Sequence, residues 1–329
     1  MITEVSFENY RCFKKLKLSN LKRMNIVVGQ NGHGKTTFLE GLYMVGGASP
    51  ELFFRTRAWR GLTPIVRIES SAKANEGLFR SLFSRHDRRN HIQLQMVDAI
   101  SGRRSLKIFY SEEEIMTLPL DSMDNREQNA VTSFPITFQW EFPTGAIHTA
   151  TVQLLDDKVT MPSATDVYPV ILQSPMTVSA PRETAKRFSE VSKRGQLSHV
   201  LREVSSIYPQ IADLSLEYEG DESIIHATTE FCEQKMPVQF ISGGITKYLT
   251  ILFSILTNQN GVVLVDEIEN GFYFGKLEDV WKSFARQCKE QATQMFVTTH
   301  SCEFLKALGP SMKDNPDEYC LLRAEKEDG

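Results

Sequence analysis

Apolar and polar positions alternate over Ile2–Phe7 and again over Phe13–Leu18, the period-two pattern of half-buried strands. Met24–Val28 is instead a short apolar run, as a strand buried on both faces needs. Directly after it the period changes. Phe38, Leu39, Leu42 and Tyr43 recur at helical spacing, and the helix they predict ends near Gly46-Gly47, ahead of Pro50. Residues 51–62 predict a second short helix carrying Arg55, Arg57 and Arg60, and residues 76–85 a small third one with Leu78, Leu82 and Phe83 at helical spacing. From about 90 to 172 period two returns. His91–Val97, Leu106–Tyr110, Ile136–Phe142 and Ala146–Leu154 read as strands, with turns at Gly102 and Pro143–Gly145. The stretch 111–133 is polar and aperiodic and reads as a loop.

Composition shifts at Pro175–Pro181, and helical spacing resumes over 182–207 through Phe188, Val191, Leu197, Val200, Leu201 and Val204. Gly195 divides that stretch and Pro209 ends it. Ile211–Tyr218 and Ile224–Thr229 then predict a hairpin about Gly220-Asp221. The last part alternates between the two periods. Lys247–Leu256 is helical, Gly261–Asp266 is a continuous apolar strand, and Leu277, Val280, Trp281, Phe284 and Cys288 line one helix face. Gln294–Thr298 is a strand, Ser301–Leu308 a short capped helix, and Tyr319–Arg323 a final strand. Strands alternating with helices predict an α/β fold with a mostly parallel core sheet, joined here by an antiparallel β subdomain and a helical lobe.

Composition narrows the classes of function. A chain of 329 residues with 41% hydrophobic content can bury a large core. The net charge of −4 gives no global basic signature for nucleic acid. No apolar run approaches the ~20 residues that span a bilayer, and the opening residues lack the apolar segment of a secretory signal. Cys12, Cys232, Cys288, Cys302 and Cys320 are scattered, an unpatterned odd set that points to reduced thiols and a cytoplasmic location. His86, His91, His148, His199 and His226 are isolated, so no metal-nuclease cluster is visible. Arg80, Arg85, Arg88, Arg89, Arg103 and Arg104 form a basic segment. It reads first as a solvated face and second as a surface for nucleic acid or an acidic partner.

The chemistry enters at the strand-to-helix junction. Gly29-Gln30-Asn31-Gly32-His33-Gly34-Lys35-Thr36 fits G-x-x-x-x-G-K-[ST], the phosphate-binding P-loop. Its glycines let backbone N–H groups curl round a phosphate, and the helix that follows aims its N-terminus at the anion. Lys35 brings positive charge to the β- and γ-phosphates, and Thr36 offers a hydroxyl to Mg²⁺. A second piece is the apolar strand that ends in Asp266-Glu267. Asp266 is the candidate Mg²⁺ holder, and Glu267 the candidate base for the attacking water. Ser242-Gly243-Gly244 opens a helix and is a further candidate anion site. The same residue types also make ordinary turns. His300, after Thr298-Thr299, is placed to bond a γ-phosphate, or to sit beside a helix capped by Ser301.

GQNGHGKTT, FISGG, VVLVDEIENG and TTHS in this order resemble an ATP-binding-cassette ATPase head of the SMC/RecF group. More narrowly they resemble the AAA-type ATPases related to the OLD proteins, as does the opening FENYRCFKKLKL. The resemblance spans about residues 1–60 and 165–323. It implies one head over 1–329, made of a lobe with P-loop and antiparallel subdomain (1–175), a helical signature lobe (176–260) and a returning core part (261–329). Its implied nucleotide-binding residues are Gly29, Asn31, Gly32, Gly34, Lys35, Thr36 and Thr37, with Ser242, Gly243 and Gly244 contributed from a second copy. Its implied metal-site residues are Thr36, Asp266 and Gln173, the last as a glutamine that senses Mg²⁺. Glu269-Asn270-Gly271 matches the D-loop, His300 the switch histidine, and Arg11 is a further candidate nucleotide contact. Two features depart from the group: SGGITKY lacks the acid or amide usual after the glycines, and Phe272-Tyr273-Phe274 stands where relatives tend to have Leu-His-Pro.

The resemblance implies ATP hydrolysis with Mg²⁺ and a homodimer or higher homo-oligomer closed around ATP. No long heptad segment is present, and only 29 residues follow His300, so the Toprim nuclease domain of OLD proteins is not expected. The leading expectation is therefore an ATP-driven switch that controls a separate effector, a nuclease or toxin, in bacterial anti-phage defence. The alternatives are RecF-like ATP-dependent DNA binding and repair, and an ATP-stabilised scaffold that scarcely hydrolyses. No guanine-reading N-K-x-D motif is visible.

Overall fold

The computed structural model describes residues 1–62, 78–110, 115–117, 131–133, 135–152, 154–155, 158–159, 166–174 and 181–326. The chain divides into two units. One comprises Met1, Lys22–Leu39 and Pro169–Gly329, the other Ile2–Leu21 and Glu40–Tyr168.

Five parallel strands form the centre of the first unit, in the order Val170–Gln173, Val262–Val265, Gln294–Thr299, Met24–Val28, Tyr319–Arg323. Val262–Val265 and Gln294–Thr299 are buried at every position, which is why their sequences are continuous rather than alternating. Asn25 sits fully buried within Met24–Val28 and is satisfied by the main chain. Its Oδ1 accepts from Lys22 N at 2.9 Å, and its Nδ2 donates to Lys22 O at 2.6 Å and Met295 O at 3.2 Å. In register Gln173 pairs with Val265, Val265 with Val297, and Thr299 and Arg323 both with Val28. The carboxyl ends of the strands are therefore close to level, the edge at which parallel α/β sheets bind ligands.

Helices cover this sheet. Gly243–Thr257 is apolar almost all round and lies in the core with Leu249, Leu252, Phe253 and Leu256 fully buried. Pro181–Lys193 and Leu197–Ile207 are separated at Gly195, whose φ of +69° supplies the turn. The expected hairpin is present as Ile211–Glu219 and Glu222–Thr229, but a third antiparallel strand, Cys232–Pro237, joins it. That strand reads Cys-Glu-Gln-Lys-Met-Pro and buries no side chain fully, so no hydrophobic alternation announces it. The helix expected to stop at Leu308 runs from Cys302 to Asp314, through Gly309-Pro310.

The second unit is built on a six-stranded antiparallel sheet in the order Phe13–Leu18, Ile2–Tyr10, Ile92–Asp98, Gly102–Tyr110, Ile136–Glu141, Ile147–Val152. The two N-terminal strands thus belong to it, beside the strands of the 90–154 stretch. Ile92–Asp98 alternates buried and half-buried throughout. Its aromatic core includes Phe53, Phe79, Phe138 and Trp140, and Trp140 Nε1 donates to Met44 O at 3.2 Å. The expected loop at 111–133 needs correction where it is described: Ile115–Thr117 and Val131–Ser133 pair as a short antiparallel ladder. Three-residue runs are too short to carry a period. The rest of that stretch, residues 76–77 of the expected third helix and the composition shift at 175–180 lie outside the described residues. Of the basic segment, Arg80, Arg85, Arg88, Arg89 and Arg103 are exposed, as a solvated face requires, and only Arg104 departs from that reading. Arg104 is buried and bonded to Asp166 at 2.6 Å, with its guanidinium 4.7 Å from the Phe142 ring, and Arg89 is paired with Asp87. Arg11 and Arg60 both pair with the buried Glu40.

Candidate functional site: the P-loop and the acidic strand end

The loop after Met24–Val28 turns through Gly29, Gly32 and Gly34, with φ of +153°, +81° and +88°. Gly29 is also held by space: a Cβ there would lie 2.5 Å from the Ala324 carbonyl oxygen. Ala324 N donates to Val28 O at 2.7 Å, and His33 Nδ1 lies 3.3 Å from Ala324 O, so the chain after the last strand braces the loop. Helix Lys35–Gly46 follows, its first turn aimed at the loop, with Phe38 N donating to Gly34 O at 2.8 Å. Lys35 is buried, and its Nζ donates to Gly29 O at 2.6 Å and Gln30 O at 3.0 Å. A cavity of about 490 Å³ adjoins the loop, lined in part by Gln30, Asn31, His33, Thr299, His300 and Arg323.

Thr36 joins the loop to the acidic strand end. Its Oγ1 donates to Asp266 Oδ2 at 2.9 Å. The other carboxylate oxygen, Oδ1, accepts from Thr298 Oγ1 at 2.5 Å. Thr298 also accepts from Glu267 N at 2.8 Å. One hydroxyl thus fixes both acids, and sequence reasoning passed over it. The available signal was a fully buried threonine pair, Thr298-Thr299, ending an otherwise apolar strand. Thr298→Val keeps the shape and deletes the hydroxyl. It is expected to destabilise the chain by about 2–3 kcal/mol, the scale of a buried bond to a charged group. Urea midpoints measure that loss, and an unchanged midpoint would show the hydroxyl to be dispensable.

Glu267 stands in the left-handed region, at φ +49°, and starts a tight turn in which Asn270 N donates to Glu267 O at 3.1 Å. Asn270 Nδ2 donates to Glu267 Oε2 at 2.5 Å. Two residues on, Glu269 Oε1 accepts from His300 N at 3.1 Å and lies 3.3 Å from His300 Nδ1. The His300 ring is otherwise half-exposed beside the cavity. The end of the turn meets the start of helix Gly243–Thr257: a Cβ on Gly244 would come within 2.7 Å of the Gly271 carbonyl oxygen. Ser242 caps helix Gly243–Thr257 by accepting from Gly244 N at 3.2 Å, and Gly243 faces open space. Among the described residues no hydrogen bond links Ser242, Gly243 or Gly244 to the P-loop.

Lys247, four residues beyond Gly243, reaches the same turn. Its Nζ donates to Glu267 O at 2.7 Å and Asn270 O at 2.9 Å. Burial pushes this ammonium down to about 8, against the pull of Glu269, Glu267 and Asp266. Gln173, the predicted sensor of the metal, ends the strand beside Asp266. Its main-chain O accepts from Asp266 N at 2.9 Å, and its Nε2 donates to Ser254 Oγ at 2.9 Å.

A P-loop joined to an acidic strand end on a parallel sheet is the arrangement of a P-loop ATPase. Residues 1–159 match the AAA ATPase domain family. Over 348 aligned residues, 95% of this chain and 89% of the relative, the chain is 21% identical to an ATP/GTP phosphatase of Helicobacter pylori. Over 47 residues, 14% of this chain and 12% of the relative, it is 38% identical to the DNA replication and repair protein RecF of Bacillus thuringiensis. Among solved structures, an SMC head bound to the C-terminal winged-helix domain of ScpA covers 93% of this chain and 91% of its own, at 16% identity and a TM-score of 0.46. No helix among the described residues is long and apolar enough to cross a membrane.

Proposed function

We propose that this chain is an ATP-driven switch, in which two copies close around ATP and the closed state acts on a separate effector. The observation that carries the reading is the bond between Thr36 and Asp266, which joins the P-loop to the acidic strand end within one protomer. Phosphates are cradled by the loop N–H groups of Gly29–Thr37 and by Lys35, which exchanges the Gly29 and Gln30 carbonyls for phosphate oxygens. The hydroxyl of Thr36 and the carboxylate of Asp266 are hard oxygen donors already side by side, a set that fits Mg²⁺. Among the described residues no larger cluster of His, Cys, Asp or Glu competes for a metal. When bound, Mg²⁺ neutralises charge on the phosphate oxygens. Glu267 takes the proton of the attacking water. His300, oriented by Glu269, donates to the γ-phosphate and carries its presence into the Glu267–Asn270 turn. Gln173 donates to Ser254 through Nε2, so it is the amide oxygen, Oε1, that would serve the metal.

Ser242 completes the site from a second copy in this reading, which is supported by its having, among the described residues, no hydrogen bond to the P-loop of its own chain. The name of the Helicobacter pylori relative supports triphosphate hydrolysis and makes GTP a nucleotide to assay beside ATP. The residue motifs support the OLD-like subtype, with a nuclease or toxin as effector and anti-phage defence as the setting.

Subunit mixing tests the shared site. Lys35→Met damages the P-loop half and Ser242→Arg the signature half. Each variant alone is expected to be inactive, and an equal mixture to regain phosphate release, because a mixed dimer retains one site with both halves intact. If both halves act within one chain, the mixture stays as inactive as its parents.

A further inference from the structure

We propose that Lys247 is a positioning residue for ATP hydrolysis, tying the signature helix to the turn that carries Glu267. The inference rests on the reading of Glu267 as the base and adds a residue and a coupling to it.

Lys247 is the one charged residue in Gly243–Thr257. Its Nζ leaves the helix for one polar destination. Two carbonyls converge on that destination. Glu267 O and Asn270 O bound the tight turn after the acidic strand, and one ammonium donates to both. The Phe272 ring closes the far side, 5.5 Å from Nζ. The charged groups that face it are the acids of the turn, Glu267 and Glu269, and Asp266 behind them.

The turn itself is poorly self-supporting. Glu267 is a non-glycine residue at φ +49°, a conformation that needs outside support. Thr298 holds its N–H and Lys247 holds its C=O. Asn270, whose carbonyl Lys247 also holds, donates its side chain to the Glu267 carboxylate. The ammonium therefore fixes both the backbone that carries the carboxylate and the amide that aims it. Gly244 against Gly271 is a second contact between the same helix and the end of the same turn. Ser242, at the tip of this helix, is where a second copy's nucleotide is read. A shift of the helix on closure is transmitted through Lys247 to Glu267, so the base is aligned by the arrival of the partner's ATP.

Lys247→Met keeps the stem and removes the donor. Turnover is expected to fall ten- to a hundred-fold, with ATP affinity within threefold of the parent, since displacement of a catalytic group by less than an ångström costs on this scale. Lys247→Arg, which can still reach both carbonyls, is expected to recover most of the loss. Lys247→Gln is measured in parallel and carries the same expectation as Met if the Met variant does not give a cooperative melt. A folded Met or Gln variant with turnover within twofold of the parent overturns the proposal. So does an equal loss of affinity and turnover, which marks a role in the fold alone. Glu267→Gln separates the two ideas. If it leaves turnover intact while Lys247→Met lowers it, the reading of Glu267 falls and the alignment of the base with it, while Lys247 keeps a positioning role for the turn. If it abolishes turnover while the Lys247 variants are unaffected, only the coupling falls.

Discussion

Glu267→Gln should release phosphate about two to four orders of magnitude more slowly than the parent, while still binding ATP, the scale of a lost general base. The substitution is nearly isosteric. The glutamine carbonyl can accept from Asn270 as the carboxylate does, and Thr298 and Lys247 bond main-chain atoms that the change leaves alone. The turn should keep its shape and lose only its proton acceptor. On the proposed function the variant also accumulates as an ATP-bound dimer, visible as a doubled mass in light scattering on adding ATP. Turnover close to that of the parent would remove Glu267 from the chemistry.

The second large effect is expected at Lys35. Replacing it with methionine removes a cation that makes two bonds to loop carbonyls and that would make comparable bonds to phosphate. Charge-assisted bonds are worth about 1.5–3 kcal/mol each. Two of them correspond to a loss of about a hundred- to ten-thousand-fold in ATP affinity. Titration with a fluorescent ATP analogue measures this directly. An affinity within threefold of the parent would mean that the loop binds phosphate through its N–H groups alone.

The P-loop and the parallel core were legible because each of their features has a local cause. Met24–Val28 and Tyr319–Arg323 were predicted with the boundaries that the structure gives, the first as an apolar run buried at all but its last position, the second as an edge strand that buries only Tyr319 fully. The glycines at 29, 32 and 34 mark the loop because the backbone there needs positive φ. What stayed hidden depends on partners far along the chain. Cys232–Pro237 is a strand only because Glu222–Thr229 offers it an edge. Ile115–Thr117 is one only because Val131–Ser133 lies opposite. Thr298 looks like any strand residue until Asp266 and Glu267 are brought to it across 32 and 31 positions. Lys247 was visible as a lone charge in an apolar helix, but nothing local says that two carbonyls wait for it. The motif spacing located Gln173 at a strand end, yet its bond to Ser254 is a tertiary fact. Ser301 was legible as a cap, accepting from Phe304 N, whereas the helix beyond it outlasts Gly309-Pro310, the pair that normally reads as a stop.

The bonds from Lys35 to its own loop also act as a filter. The cation is committed to the Gly29 and Gln30 carbonyls, so an anion that engages it must outbid them. A lone orthophosphate or sulfate can offer the lysine little beyond what it already has. A triphosphate brings several oxygens at once, engaging the loop amides, the helix N-terminus and Thr36 together with the lysine. On the proposed function, these bonds disfavour small anions, and selectivity for polyphosphates would begin before the base of the nucleotide is read.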